Sequence, residues 1–107
     1  MASSIDFVQY IAEQCAGAGE ITVRKMFGDY GIYCDGKIFG LICDDSLYLK
    51  PTEAARPLLR SVEMRPPYNG ASNYFYISDV DDSEYLSTLV GHTCRALPAP
   101  KQRKKQK

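Results

Sequence analysis

The stretch from Thr22 to Lys50, TVRKMFGDYGIYCDGKIFGLICDDSLYLK, contains three short apolar runs, Tyr30–Cys34, Lys37–Cys43 and Ser46–Lys50. Asp35-Gly36 joins the first two and Asp44-Asp45 the last two. Asp-Gly favours a two-residue hairpin, because both central positions take positive φ and Gly has no Cβ to resist it. Asp-Asp is a weaker turn pair, although Asp tolerates the left-handed region better than most residues. The runs are dense in Tyr, Ile, Phe and Leu, which predicts a three-stranded antiparallel meander. Pairing about the two turns puts Tyr33, Ile38, Ile42, Leu47 and Leu49 on one face. It puts Tyr30, Ile32, Phe39, Leu41 and Tyr48 on the other. Both faces are apolar. A sheet covered on one side alternates apolar with polar residues, so the second face must meet lead-in and loop segments or a second chain.

Working outward, residues 4–16 read as a helix. Phe7, Val8, Ile11, Ala12 and Cys15 share one face at helical spacing, with Asp6, Gln9 and Glu13 opposite. Ser3 or Ser4 can cap its start, and Gly17-Ala18-Gly19 stops it. Residues 21–27 are an extended lead-in of undecided state. As a strand, the Arg24-Lys25 pair would send adjacent charges to opposite faces. Thr52–Val62 reads as a second helix with Thr52 as cap, and Pro57 sits deep enough to kink it. Met64-Arg65 can begin a strand that Pro66 and Pro67 confine to an edge. Tyr68-Asn69-Gly70 marks a turn, and Tyr74–Ile77 is a short aromatic strand. Residues 83–97 form the last helix, with Leu86, Leu89, Val90, Thr93, Cys94 and Leu97 as its stripe and Ser83 as its cap; Pro98 and Pro100 end it. The order α-β-β-β-α-β-β-α predicts a two-layer α+β domain over residues 1–98, built on an antiparallel sheet with helices. Residues 99–107 read as a disordered basic tail.

A chain of 107 residues with 45% hydrophobic and 24% charged residues has ordinary globular composition. No apolar run approaches the roughly 18 residues of a membrane span, and the N-terminus lacks the basic-then-apolar pattern of a secretory signal. A cytoplasmic protein without membrane contact is the expectation. The net charge of zero hides a segregation. Lys101, Arg103, Lys104, Lys105 and Lys107 supply five of 13 basic residues, leaving 8 basic against 13 acidic residues in 1–100. An acidic body argues against duplex nucleic-acid recognition by the folded part, and against base stacking on its tyrosines. The five tail cations could still bind nucleic acid weakly and without sequence preference, with a salt slope no steeper than about −4.5.

Little here carries reaction chemistry. Cys15, Cys34, Cys43 and Cys94 are scattered without a Cys-x-x-Cys pair, and His92 is the single histidine. Zinc sites draw their ligands in close pairs, so buried or half-buried reduced thiols are expected and no metal site. His92 lies off the apolar stripe of its helix with no nucleophile identifiable beside it. Asp79, Asp81, Asp82 and Glu84 lack calcium-loop spacing and read as acids at a helix start. Gly28-x-x-Gly31 has no helix after it and cannot be a phosphate loop; it reads as room for a turn into the first strand. Eight tyrosines and four phenylalanines suit either packing or a sheet surface for a protein partner.

Arg24-Lys-Met-Phe-Gly28, Tyr30-Gly-Ile-Tyr33, Asp35-Gly36, Phe39, Leu41-Ile42 and Leu47-Tyr-Leu-Lys50 together resemble the N-terminal domain of the TfoX/Sxy family. The segment Thr52-Glu-Ala-Ala-Arg-Pro57 is similar in kind, and the resemblance covers nearly the whole chain. It implies a bacterial regulatory module associated with competence and acting with transcription machinery, without cofactor or catalytic residues. The implied fold is a two-layer α+β arrangement like that of type III secretion chaperones. Asp29 stands where the family commonly has a second Gly, and residues 101–107 stand where full-length members carry a helical domain. The implied activity is protein contact with a partner or a second copy, and not catalysis. Arg24, Lys25, Asp29, Tyr30, Tyr33 and Tyr48 are the candidate contact residues. The alternative is weak, non-specific nucleic-acid binding through the tail.

Overall fold

Asp35 and Gly36 sit at φ of 51° and 86°, and Asp44 and Asp45 at 51° and 55°. Both turns therefore form as two-residue hairpins with positive φ at each central residue. The computed structural model describes residues 4–26 and 29–98. The elements are α1 (Ile5–Gln14), β1 (Ile21–Met26), β2 (Asp29–Cys34), β3 (Lys37–Cys43), β4 (Ser46–Leu49), β5 (Met64–Arg65), β6 (Tyr74–Ile77) and α2 (Ser83–Ala96). The strands form one antiparallel sheet in the order β1-β2-β3-β4-β6-β5. The α+β class holds.

Three parts of the expected order change. The undecided lead-in is strand β1, paired with β2 from Ile21↔Cys34 to Met26↔Asp29. The helix expected over 52–62 is absent, and a single 3-10 turn at Arg56–Leu58 takes its place. Thr52 does cap that segment, its Oγ1 accepting from Ala55 N–H at 3.2 Å. Pro57 then has no N–H to donate to Glu53 and disfavours the helical conformation at Arg56, so Leu58 and Leu59 bond three residues back. The cap of α2 is Asp82, whose carboxylate accepts from Tyr85 N–H at 3.1 Å; Ser83 is the first helical residue. Ser4 caps α1 as expected.

The two faces of the meander also differ from the expected sets. Ile32 pairs with Gly40 while Tyr33 pairs with Ile38, so Phe39 is an extra residue in β3. This β-bulge exchanges the faces of β3 relative to β2. Tyr33 and Ile38 therefore leave the face shared by Ile42, Leu47 and Leu49, while Ile32 and Phe39 join it. Tyr30, opposite Ile42, packs against the same core. Leu41 and Tyr48 stay opposite that face, as expected, paired with each other.

α1 and α2 cover the inner face. Val8 and Ile11 from α1, Cys15 at its C-terminal cap, and Leu86, Leu89, Val90 and Cys94 from α2 enclose Ile32, Cys34, Phe39, Ile42, Leu47, Leu49, Phe75 and Ile77. Burying each large side chain contributes about 1.5–3 kcal/mol. Thr93, fully buried, satisfies its hydroxyl by donating to the Leu89 carbonyl at 2.8 Å. Lys37 Nζ donates to the carbonyls of Cys94 and Leu97 at 3.0 and 3.2 Å, setting a positive charge at the C-terminal end of α2 where the helix dipole favours it. The expected acid cluster is structural: Arg60 pairs with Asp79 and Asp82, and Asp81 accepts from the Tyr10 hydroxyl. Among the described residues no helix is long and apolar enough to cross a membrane.

Candidate functional site

The outer face of the sheet carries no helix among the described residues. By register it presents Arg24 and Met26 from β1, Gly31 and Tyr33 from β2, and Ile38, Leu41 and Cys43 from β3. Tyr48, Lys50, Tyr74 and Tyr76 complete it. These residues alternate with the inward set, so the sheet fold itself places them together.

A groove of about 550 Å³ runs across this face, lined by Met26, Asp29, Tyr30, Ile38, Leu41, Cys43, Lys50, Tyr68 and Tyr74. Gly31 helps to shape it. A Cβ there would lie 2.8 Å from Met26 Cε and 3.1 Å from Ile38 Cδ1, so the missing side chain is the space those two chains occupy. Gly31 is thus a packing glycine inside β2, and the expectation that it serves a turn is corrected. Met26 lies over Gly31 on the outer face. Phe27 and Gly28 lie outside the described residues.

Beside the groove, Tyr48 and Tyr76 meet with ring centroids 5.6 Å apart at 59°. The Arg65 guanidinium lies over the Tyr76 ring at 4.1 Å, a cation–π contact, and also pairs with Glu63. Burial raises the Tyr48 and Tyr74 hydroxyls above the ordinary tyrosine value. Tyr68 projects at the rim with 59% of its surface exposed. A large aromatic left this open beside an apolar groove is the kind of surface that marks an interaction site.

The expected contact residues divide. Asp29 and Tyr30 line the groove, Tyr33 lines a smaller cavity next to it with Ile38 and Lys50, and Tyr48 floors the aromatic side. Arg24 stands exposed beside Gly31 at the edge strand. Lys25 points to the opposite face, as adjacent strand residues must, and is not part of the site. Lys101, Arg103, Lys104, Lys105 and Lys107 lie outside the described residues. Sequence reasoning missed Met26, Ile38, Leu41, Cys43, Lys50, Tyr68 and Tyr74 as a set. The one signal was the apolar character of both faces, and the bulge scrambled which residues share a face.

The thiols are not poised for chemistry. All four cysteines are free and buried. Burial pushes Cys15 and Cys94 up to about 12, and burial with the nearby Asp29 and Asp44 carboxylates pushes Cys43 up to about 11. Each is protonated at neutral pH, and the thiolate is the nucleophile and metal ligand. Among the described residues no three His, Cys, Asp or Glu side chains converge as a metal-ion site.

Comparison with known proteins gives three matches. An uncharacterized 12.7 kDa protein in the trpE 5′ region of Spirochaeta aurantia is 36% identical over 105 residues, covering 97% of this chain and 91% of that protein. Penicillin-binding protein 1A of Neisseria flavescens is 34% identical over 91 residues, which is 78% of this chain and 11% of that protein. A model of the TfoX N-terminal domain matches residues 13–96, from the end of α1 through the sheet to the last turn of α2. The chain belongs to the TfoX N-terminal domain family.

Proposed function

We propose that this chain is a non-enzymatic regulatory module that works in the cytoplasm by offering the outer face of its sheet to a protein partner. Family membership supports a regulatory role of the kind found in competence and transcription control. The observation that carries the reading is the groove of Met26, Ile38, Leu41, Cys43 and Tyr74, apolar, aromatic-rimmed and uncovered by any helix of the described chain. Rigid tyrosines around an apolar centre supply contact area at low entropic cost. The reading gives the chain no reaction and no cofactor.

The test is capture on the immobilised full-length chain from its host, with nuclease treatment, using wild type and Leu41→Glu side by side. The expected result is a protein retained by wild type after nuclease and lost with Leu41→Glu, at least a tenfold drop for a charge placed in the centre of an apolar contact. Retention that nuclease removes favours the alternative of weak nucleic-acid binding through residues 101–107. Retention that Leu41→Glu leaves unchanged overturns the assignment of this face.

A further inference from the structure

The groove is charged oppositely at its two ends. At one end the Asp29 carboxylate accepts from Asp44 N–H at 3.4 Å, and both carboxylates act on the Cys43 thiol in the groove wall. Asp45 is engaged elsewhere, accepting from Ser4 N–H at 2.8 Å. At the other end Lys50 follows β4, with its N–H donating to the Phe39 carbonyl at 2.8 Å. The span of β3 from Phe39 to Cys43 separates the two ends by roughly 13 Å.

Two of these end charges, Lys50 and Asp44, stand outside the ion pairs among the described residues. Arg60 pairs with Asp79 and Asp82, Arg65 with Glu63, Arg56 lies over Phe75, and Lys37 holds the end of α2. Among the described residues Lys50 is in no ion pair, and neither is the exposed Asp44 carboxylate. Asp44, in the turn after Cys43, and Lys50 stand at opposite ends of the groove with Leu41 and Cys43 between, which makes the surface complementary to itself. Turned over by a two-fold axis, the acidic end meets the basic end twice, as an isologous contact requires.

We infer that the outer face binds a second copy of this chain, with Asp44 of each copy against Lys50 of the other and the apolar centres in contact. This rests on reading the outer face as an interaction surface and names its partner. The size of the face sets the strength. Six strands about 4.8 Å apart, the longest of seven residues and the shortest of two, span at most roughly 24 by 23 Å, below the roughly 800 Å² per partner of a standard stable interface. The dimer is therefore weak and reversible, with a Kd in the range of about 10 to 500 μM.

Sedimentation equilibrium of the full-length chain from about 10 μM to about 1 mM tests it. The mass should rise with concentration from 12.0 kDa toward twice that value. Lys50→Glu and Asp44→Lys, each alone, should weaken association about tenfold by setting like charges against each other. An equimolar mixture of the two variants should recover it to within about threefold, because each then supplies what the other lacks. Asp44 sits at positive φ, so Asp44→Asn, which keeps that backbone preference, serves as a second variant with an expected loss of about threefold. A strict monomer at about 1 mM, a dimer indifferent to these changes, or a mixture as weak as its parts overturns the proposal. A monomer that still captures another protein through Leu41 overturns the second copy alone and leaves the interaction surface standing. Loss of capture as well removes the reading beneath it.

Discussion

Gly40→Ala should destabilise the fold by about 3 kcal/mol or more, the upper range for forcing atoms into a packed site. A Cβ at Gly40 would meet the Tyr48 carbonyl oxygen at 2.3 Å, the Tyr48 carbonyl carbon at 3.3 Å and Leu49 Cα at 3.4 Å. All three are backbone atoms of β4, so no side chain can swing away. β3 and β4 would have to part, at the pairing of Gly40 with Leu49 and beside the bond from Lys50 N–H to the Phe39 carbonyl. Gly40 also directly follows the bulge residue, a position where a strand commonly uses glycine for close backbone approach. In a melting experiment the loss should appear as a fall of about 12–24 °C. Gly91→Ala is the matched control. Its Cβ would come no closer than 3.5 Å to the Arg95 side chain, and in mid-helix alanine gains about 0.5–1 kcal/mol over glycine. The two substitutions should move the midpoint in opposite directions.

Ile42→Glu should leave little folded protein at neutral pH. Ile42 is fully buried between the sheet and the helices and pairs with Leu47 across β3 and β4. Removing its apolar contribution and placing an unpaired carboxylate there costs about 5 kcal/mol or more, against a total domain stability of about 5–15 kcal/mol. The sign of the pH dependence follows from burial, which raises the carboxyl pKa above its unfolded value. The protonated form is the less costly one in the core, so the deficit should shrink as pH falls toward 4–5 and grow as pH rises. Circular dichroism of Ile42→Glu between pH 4 and pH 8 reads this directly; equal folding at both ends would contradict the placement of Ile42.

Much of the fold was legible because its signals are local. The Asp35-Gly36 and Asp44-Asp45 turns, the Ser4 cap, the stripe of α2 and the edge strand before Pro66 each depend on a few neighbouring residues and appear where expected. The register between β3 and β4 was likewise correct, since a two-residue turn fixes it. The failures are those in which a distant or competing effect decides. Thr52 offers a cap, but the missing Pro57 N–H ends the helix that the cap would start. The lead-in that holds Arg24 and Lys25 stays undecided until β2 pairs with it. Phe39 bulges because one more residue fits between the turn and Ile42 than the regular pairing allows, and no spacing rule announces that. One extra residue was enough to mix the faces, and so the groove could be anticipated as an apolar second face but not named residue by residue. Lys50 was visible only as the end of a run; its position opposite Asp29 and Asp44 is a product of three strands.

The central claim is that the sheet has one face that is core and one that is surface, with Leu41 and Ile42 as neighbours on opposite sides. The most direct measurement is the thermal melt of Leu41→Glu at neutral pH beside wild type and Ile42→Glu. Leu41 is half-buried in the open groove, so its charge can reach water and the change should cost within about 1 kcal/mol, a shift of no more than about 8 °C. A cooperative melt within that range, beside an unfolded Ile42→Glu, is the predicted result. A Leu41→Glu chain that collapses as Ile42→Glu does would mean the outer face is a second core, and would contradict the account.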